Sequence, residues 1–216
     1  MGKNVLMLTG DYVDDYELMV PYSILTMFGC EVHVISPGKT EGDFIKTAIH
    51  YISKEDWELT LEGKPTTYSE SLGHPFRLTH NFNWEDIDKE LINYDALLLP
   101  GGRAPEYLSV IPEVQNLVSH FMKKNKPIGA ICHGSQILTH TDSSFQEFDY
   151  LRNKNVYPYP SVALECSLLG AIVDSNYRPY IAFTDGNLVT GPSWLALPEF
   201  MKHFLKLLNL TALPEK

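Results

Sequence analysis

The chain has 216 residues, and 17 Lys plus Arg against 27 Asp plus Glu leave a formal charge of −10. That length is one domain's worth of polypeptide, and 44% hydrophobic with 20% charged residues supplies a full core, which excludes a disordered or collagen-like chain. The densest basic run is only Lys123-Lys124-Asn125-Lys126, so nucleic acid is not an expected partner, and the lack of a membrane-length apolar window or a leader-like start points to a cytoplasmic protein.

In chain order, Asn4 to Thr9 is a continuous apolar run, and Leu18, Tyr22 and Leu25 then fall at helical spacing. Gly29 closes that helix, and Glu31 to Ser36 is a second strand ended by Pro37-Gly38, giving a βαβ unit whose strands lie parallel. Residues 39–83 are too long for a plain connection, and the turn residues around Glu62-Gly63-Lys64-Pro65 predict a hairpin excursion that covers a site. Asp95 to Pro100 is a third strand, and Tyr107, Val110, Val114, Leu117 and Phe121 repeat as one helical face. Pro127 to Cys132 is a fourth strand, with helix from about Gly134 to Thr139. Thr141 to Tyr159 is a polar and aromatic passage, after which the strand alternation resumes at Ala171 to Val173 and Tyr180 to Thr184. Asp185-Gly186 turns into Asn187 to Thr190 as an antiparallel hairpin, and Leu197, Phe200, Met201, Phe204 and Leu208 line a closing helix. Apolar strands separated by amphipathic helices predict a single α/β domain over residues 1–216, a sandwich with a mainly parallel sheet.

The segment Ile128-Gly129-Ala130-Ile131-Cys132-His133-Gly134-Ser135 puts a cysteine where a strand stops and a helix begins, with small residues two before and two after it. That is the spacing of a nucleophile elbow, whose sharp turn crowds both flanking positions. The following helix N-terminus is expected to favour the thiolate below its free pKa of about 8.5, and the His133 N–H is placed for half an oxyanion hole. The competing reading is a buried core thiol, which suits Cys30 and Cys166 better because neither has this context. Three cysteines without close pairing suggest no disulfide framework.

Pro100-Gly101-Gly102-Arg103 runs a strand into paired glycines, so Gly102 can supply the second oxyanion N–H, although a tight strand-to-helix turn would use the same residues. Of the acidic cluster Asp14-Asp15-Tyr16-Glu17, Asp14 and Asp15 suit a helix N-terminus, whereas Glu17 lies at the strand edge where sites of open α/β sheets form. His133 adjoins the cysteine, and His50 and His74 sit in the excursion, where they could reach substrate or serve as ordinary structural residues. No metal-ligand spacing and no nucleotide fingerprint occurs, so neither metal nor cofactor is expected.

These segments, with Thr184-Asp185-Gly186-Asn187-Leu188-Val189-Thr190-Gly191, resemble the ThiJ/PfpI superfamily from about Lys3 to Leu210. The arm carrying Thr47-Ala48-Ile49-His50 and Ser71-Leu72-Gly73-His74 is similar to one repeat of the plant glyoxalases of that superfamily. The resemblance implies a flavodoxin-like three-layer sandwich, Cys132 as nucleophile and Glu17 as a carboxyl group close to its sulfur. It also implies that Glu106 of a neighbouring subunit orients His133, which requires a homo-oligomer. Amidotransferases share the elbow but need a His-x-Glu pair, which no histidine here provides. Two departures stand out: Thr141 to Asn155 replaces a shorter turn, and Pro192-Ser193-Trp194 brings a bulky aromatic toward substrate. The expected activity is a cofactor-free glyoxalase or deglycase acting on methylglyoxal or glyoxal. The alternatives are a cysteine peptidase acting on peptides through Cys132, His133 and Glu106, and a redox sensor or chaperone in which Glu17 holds oxidised Cys132.

Overall fold

The computed structural model describes residues 2–51, 53–62, 64, 69–144, 149–174 and 176–210. Six strands form the central sheet: β1 (Asn4–Leu8), β2 (Glu31–Ile35), β3 (Ala96–Leu99), β4 (Ile128–Ile131), β5 (Phe183–Asp185) and β6 (Leu188–Gly191). Their spatial order is β5-β6-β4-β3-β1-β2, parallel except for the edge hairpin β5-β6. β1, β3 and β4 are almost wholly buried and read as unbroken apolar runs, as strands covered on both faces must. The major helices are α1 (Asp15–Met27), α2 (Pro112–Lys123), α3 (Gly134–Ser144), α4 (Pro160–Leu168) and α5 (Leu197–Leu207). α1 packs with α5, while α2, α3 and α4 pack in series, which makes the α/β sandwich that the alternation of strands and helices predicts, in the flavodoxin-like form that the resemblance implies.

The expected core face of α5 holds, with Leu197, Phe200, Met201, Phe204 and Leu208 all buried. The Asp185-Gly186 hairpin holds as well, with Asp185 opposite Leu188 and Gly186 at φ 57°. Three expectations need correction. The helical face from Tyr107 to Phe121 is two helices, Ala104–Leu108 and α2, because Pro112 opens a new helix and leaves Val110 exposed. α3 extends five residues past Thr139, to Ser144. Ile172–Val173 does not join the central sheet but pairs in parallel with Asn155–Val156, inside the passage read as irregular.

In the excursion, Thr47–Tyr51 pairs antiparallel with Ser69–Leu72, and Phe44–Ile45 with Phe76–Arg77. Gly63 and Pro65 of the predicted turn lie outside the described residues. The inner arm, Thr47–Tyr51, also pairs in parallel with Val13–Asp14, which ties the excursion to the mouth of β1. No helix among the described residues is long and apolar enough to cross a membrane.

Candidate active site

β1, β3 and β4 end side by side, and the topological switch falls between β1 and β3, where α/β sheets of this order place ligands. Cys132 follows β4 at φ 56°, a left-handed conformation unusual for a side-chain-bearing residue and typical of a strained functional turn. Its own N–H donates to the Gly191 carbonyl at 2.7 Å, anchoring the elbow to β6. Gly134 then packs so tightly on β3 that a Cβ there would sit 2.1 Å from the Leu99 carbonyl oxygen. The small residue two after the cysteine is thus demanded by the neighbouring strand.

The paired glycines close in from β3. A Cβ on Gly101 would lie 2.6 Å from Glu17 Oε2 and 2.7 Å from Cys132 Cβ, and Gly102 has φ +77°. The Gly101 carbonyl accepts from Asp14 N–H at 3.3 Å, and Arg103 N–H donates to the Tyr12 carbonyl at 2.8 Å. These bonds bring the start of α1 against the elbow. Asp14 caps α1 by accepting from the Glu17 N–H at 3.0 Å, and Glu17 Oε2 accepts from Gly101 N–H at 2.8 Å. Glu17 is fully buried and faces the Cys132 side chain and the Trp194 N–H.

Burial, with the negative charge of Asp14, pushes the Glu17 carboxyl well above its usual range. Burial also pushes the Cys132 thiol up, as would the charges of Glu17 and Asp14, against the downward pull of the His133 and Gly102 N–H groups. The expectation of a thiol lowered by the helix N-terminus is therefore corrected, because burial and two nearby carboxyl groups outweigh two amide dipoles. A proton on Glu17 would remove one of those charges and make its carboxyl a donor beside the sulfur. The two amides that pull the thiol down are the ones expected to form an oxyanion hole.

His133 Nδ1 lies 3.5 Å from Cys132 Sγ, its Nε2 lies 3.2 Å from Ser161 Oγ, and its ring packs 4.4 Å from that of Tyr159. Burial and the charge of His50 depress this imidazole to about 4, so it is neutral at physiological pH. Glu106 is exposed on the short helix Ala104–Leu108, and within one chain His133 bonds Cys132 and Ser161 instead. His50 sits at the rim, with Nδ1 2.5 Å from Asp14 Oδ2 and Nε2 3.3 Å from Glu70 Oε2. Burial alone would depress the His50 imidazole, but the Asp14 bond and the charges of Asp14 and Glu70 outweigh it and hold it above its ordinary value. His74 is exposed, close enough to Asp15 to act on its charge, and its carbonyl accepts from Thr47 Oγ1. The half-buried Trp194 stacks on Tyr16 at 5.9 Å and leans on Trp57 at 6.2 Å, forming an aromatic wall beside Glu17.

Sequence reasoning missed Ser161, Tyr159 and Tyr177, the last of which lies within electrostatic reach of Cys132. The only available hint was the aromatic clustering of Tyr157-Pro158-Tyr159, which carries no spacing that points to residue 133. Among the described residues, no three His, Cys, Asp or Glu side chains group as metal ligands.

A search for known families matches residues 3–207 to the DJ-1/PfpI family. Protein DJ-1 homolog D of Arabidopsis thaliana is 41% identical over 209 residues, covering 97% of this chain and 48% of that protein, so the chain spans about half the length of this relative. A protein of Pyrococcus horikoshii named as a deglycase is 25% identical, covering 95% of this chain and 99% of its own. Among solved structures, DJ-1 of Schizosaccharomyces pombe superposes with a TM-score of 0.65 at 22% identity over 97% of this chain and 92% of that one, a likeness of fold. The match across nearly the whole chain, together with the Arabidopsis relative, makes this protein a member of the DJ-1/PfpI family.

Proposed function

We propose that the chain is a cofactor-independent enzyme of the glyoxalase or deglycase type, converting methylglyoxal or glyoxal to the 2-hydroxy acid through a hemithioacetal on Cys132. The observation that carries this reading is the Glu17 carboxyl, fully buried and held above its usual range, beside a sulfur that Gly102 and His133 N–H groups also face. As the sulfur adds to the aldehyde carbon, the thiol proton passes to His133 Nδ1, and the new oxyanion rests on the two amides. Glu17 protonates the adjacent carbonyl oxygen while His133, having released its first proton to the oxyanion, takes the proton from the aldehyde carbon and returns it to the neighbouring carbon; the hydroxyl on the former aldehyde carbon then gives its proton back to Glu17 as the thioester carbonyl forms. Water then cleaves the resulting thioester, freeing the acid and the thiol. A deglycase that begins from an aldehyde adduct would use the same first step, and the relative named as a deglycase supports that class.

The assay is lactate formation from methylglyoxal without glutathione. Lactate in stoichiometric yield is expected from the wild type and none from Cys132→Ala; full activity in that variant would refute the nucleophile.

A cysteine peptidase is the second reading, favoured by the 3.5 Å approach of His133 Nδ1 to the sulfur and by the exposure of Glu106, which leaves its carboxylate available to a second subunit. It requires a homo-oligomer, release of an amide leaving group, and loss of that release in Glu106→Gln. A monomer that cleaves amides would exclude Glu106 from the role.

A further inference from the structure

His50 occupies an unusual position for a residue beside a nucleophile. Both of its ring nitrogens are turned to carboxylates, Asp14 at 2.5 Å and Glu70 at 3.3 Å, and Arg103 Nη1 stands 3.8 Å from the other Glu70 oxygen. Glu70 comes from the outer arm of the excursion, His50 from the inner arm, and Asp14 from the cap of α1, so an alternating row of charges runs from the excursion to the buried start of the helix. Asp14 is the charged group within reach of both Glu17 and Cys132. Its side chain is only 3% exposed, so solvent screens it poorly.

We propose that His50 is a positioning residue whose imidazolium, clamped between Asp14 and Glu70, neutralises Asp14 beside Glu17 and Cys132 and so governs how readily the sulfur ionises. An imidazolium with both N–H groups committed to carboxylates is poorly placed to bind substrate, which gives this histidine a different task from the one its position in the excursion suggests. The groups facing His50 are Asp14 and Asp15 at the head of α1, Glu70 on the outer arm, with Arg103 behind it, and His133 at the elbow. Those facing the sulfur are Glu17, Asp14, His133 and Tyr177. The sign follows from this arrangement. Below its folded pKa, His50 is charged and the Asp14 carboxylate is cancelled; as pH rises through that value the cancellation is lost and the thiol becomes harder to ionise, so its titration is broader than that of a single isolated group. The inference rests on Cys132 as the reacting atom and not on any aldehyde chemistry.

The test is the pH dependence of Cys132 alkylation by iodoacetamide, followed by mass on the peptide that contains it, which reads the sulfur whether or not the protein turns over methylglyoxal. His50→Gln is expected to slow alkylation near neutral pH roughly tenfold, with the two profiles converging at high pH, where the wild-type His50 is itself neutral. Asp14→Asn keeps a cap for α1, and the double variant Asp14→Asn/His50→Gln is expected to return the profile to that of the wild type, a rescue that a merely structural histidine would not show. A wild-type profile in His50→Gln, or a double variant as slow as the single one, would overturn the proposal. Should His50→Gln fail to fold, Glu70→Gln removes the outer clamp alone, and the proposal then requires a smaller slowing of alkylation near neutral pH; an unchanged profile there overturns it.

Discussion

Cys132 and Cys166 are both buried thiols, and burial pushes both above their ordinary pKa, Cys166 to about 12. They differ in everything else. Cys166 is 1% exposed within the regular helix α4, and its chief charged neighbour is Glu165, which raises it further. Cys132 retains 9% exposure, holds a left-handed backbone angle, and is met by two amides, a neutral imidazole and a buried carboxyl. The contrast teaches that sequestration is the shared cost, while the surrounding donors and proton carriers are what the proposed reactivity of Cys132 rests on and what Cys166 lacks.

The sharpest way to break this contrast is to exchange the fates of the two thiols. Cys132→Ala is expected to remove methylglyoxal turnover altogether, whereas Cys166→Ala keeps the full rate and loses roughly 1 kcal/mol of stability. Equal loss of turnover in both variants, measured by lactate release and by denaturant melts, would erase the distinction.

Glu17→Gln probes the carboxyl partner. Turnover is expected to fall by about 10² to 10⁴-fold, the range of a lost general acid or base. Stability is expected to move the other way. A carboxyl whose folded pKa is raised binds more protons folded than unfolded, so its stabilising contribution is present below the unfolded value and is lost as pH climbs toward the folded one. Gln cannot ionise, so the variant is expected to be about 1–2 kcal/mol more stable at neutral pH, with a flatter stability profile above the ordinary glutamate range. A variant less stable than the parent at neutral pH would show that Glu17 is ionised in the fold.

The smallest effect belongs to Ser161→Ala. With Nε2 unanchored, the imidazole loses one of the contacts that orient Nδ1 toward the sulfur, and a roughly tenfold loss in kcat with little change in KM is expected. Unchanged kcat would assign the orientation of His133 to the Tyr159 ring or to a second subunit.

The elbow was legible in the sequence because its requirements are local: strand, small residue, cysteine, small residue, helix. Glu17 was legible only through sheet topology, since nothing in Asp14-Asp15-Tyr16-Glu17 distinguishes a capping carboxylate from a buried one until β1 and β4 are known to end together. Ser161 and Tyr159 were not legible, because Ser161 follows His133 by 28 positions and no periodicity links them. The pairing of Val13–Asp14 with Thr47–Tyr51 was hidden for a similar reason, as two residues of ladder leave no alternating pattern. The sign of the thiol shift was misjudged because a dipole can be read from sequence whereas burial cannot.

The tight seam where Gly101, Gly102 and Gly134 meet the cysteine bears on how such a protein can be diversified. Side chains larger than hydrogen have no room at those three points, so a randomised library would return almost no intact sites from them. The outer arm, Ser69–Leu72, is exposed along its whole length yet contributes Glu70 to the rim. New substrate range is therefore reachable by rewriting Ser69, Ser71 and Leu72 while Glu70 is kept.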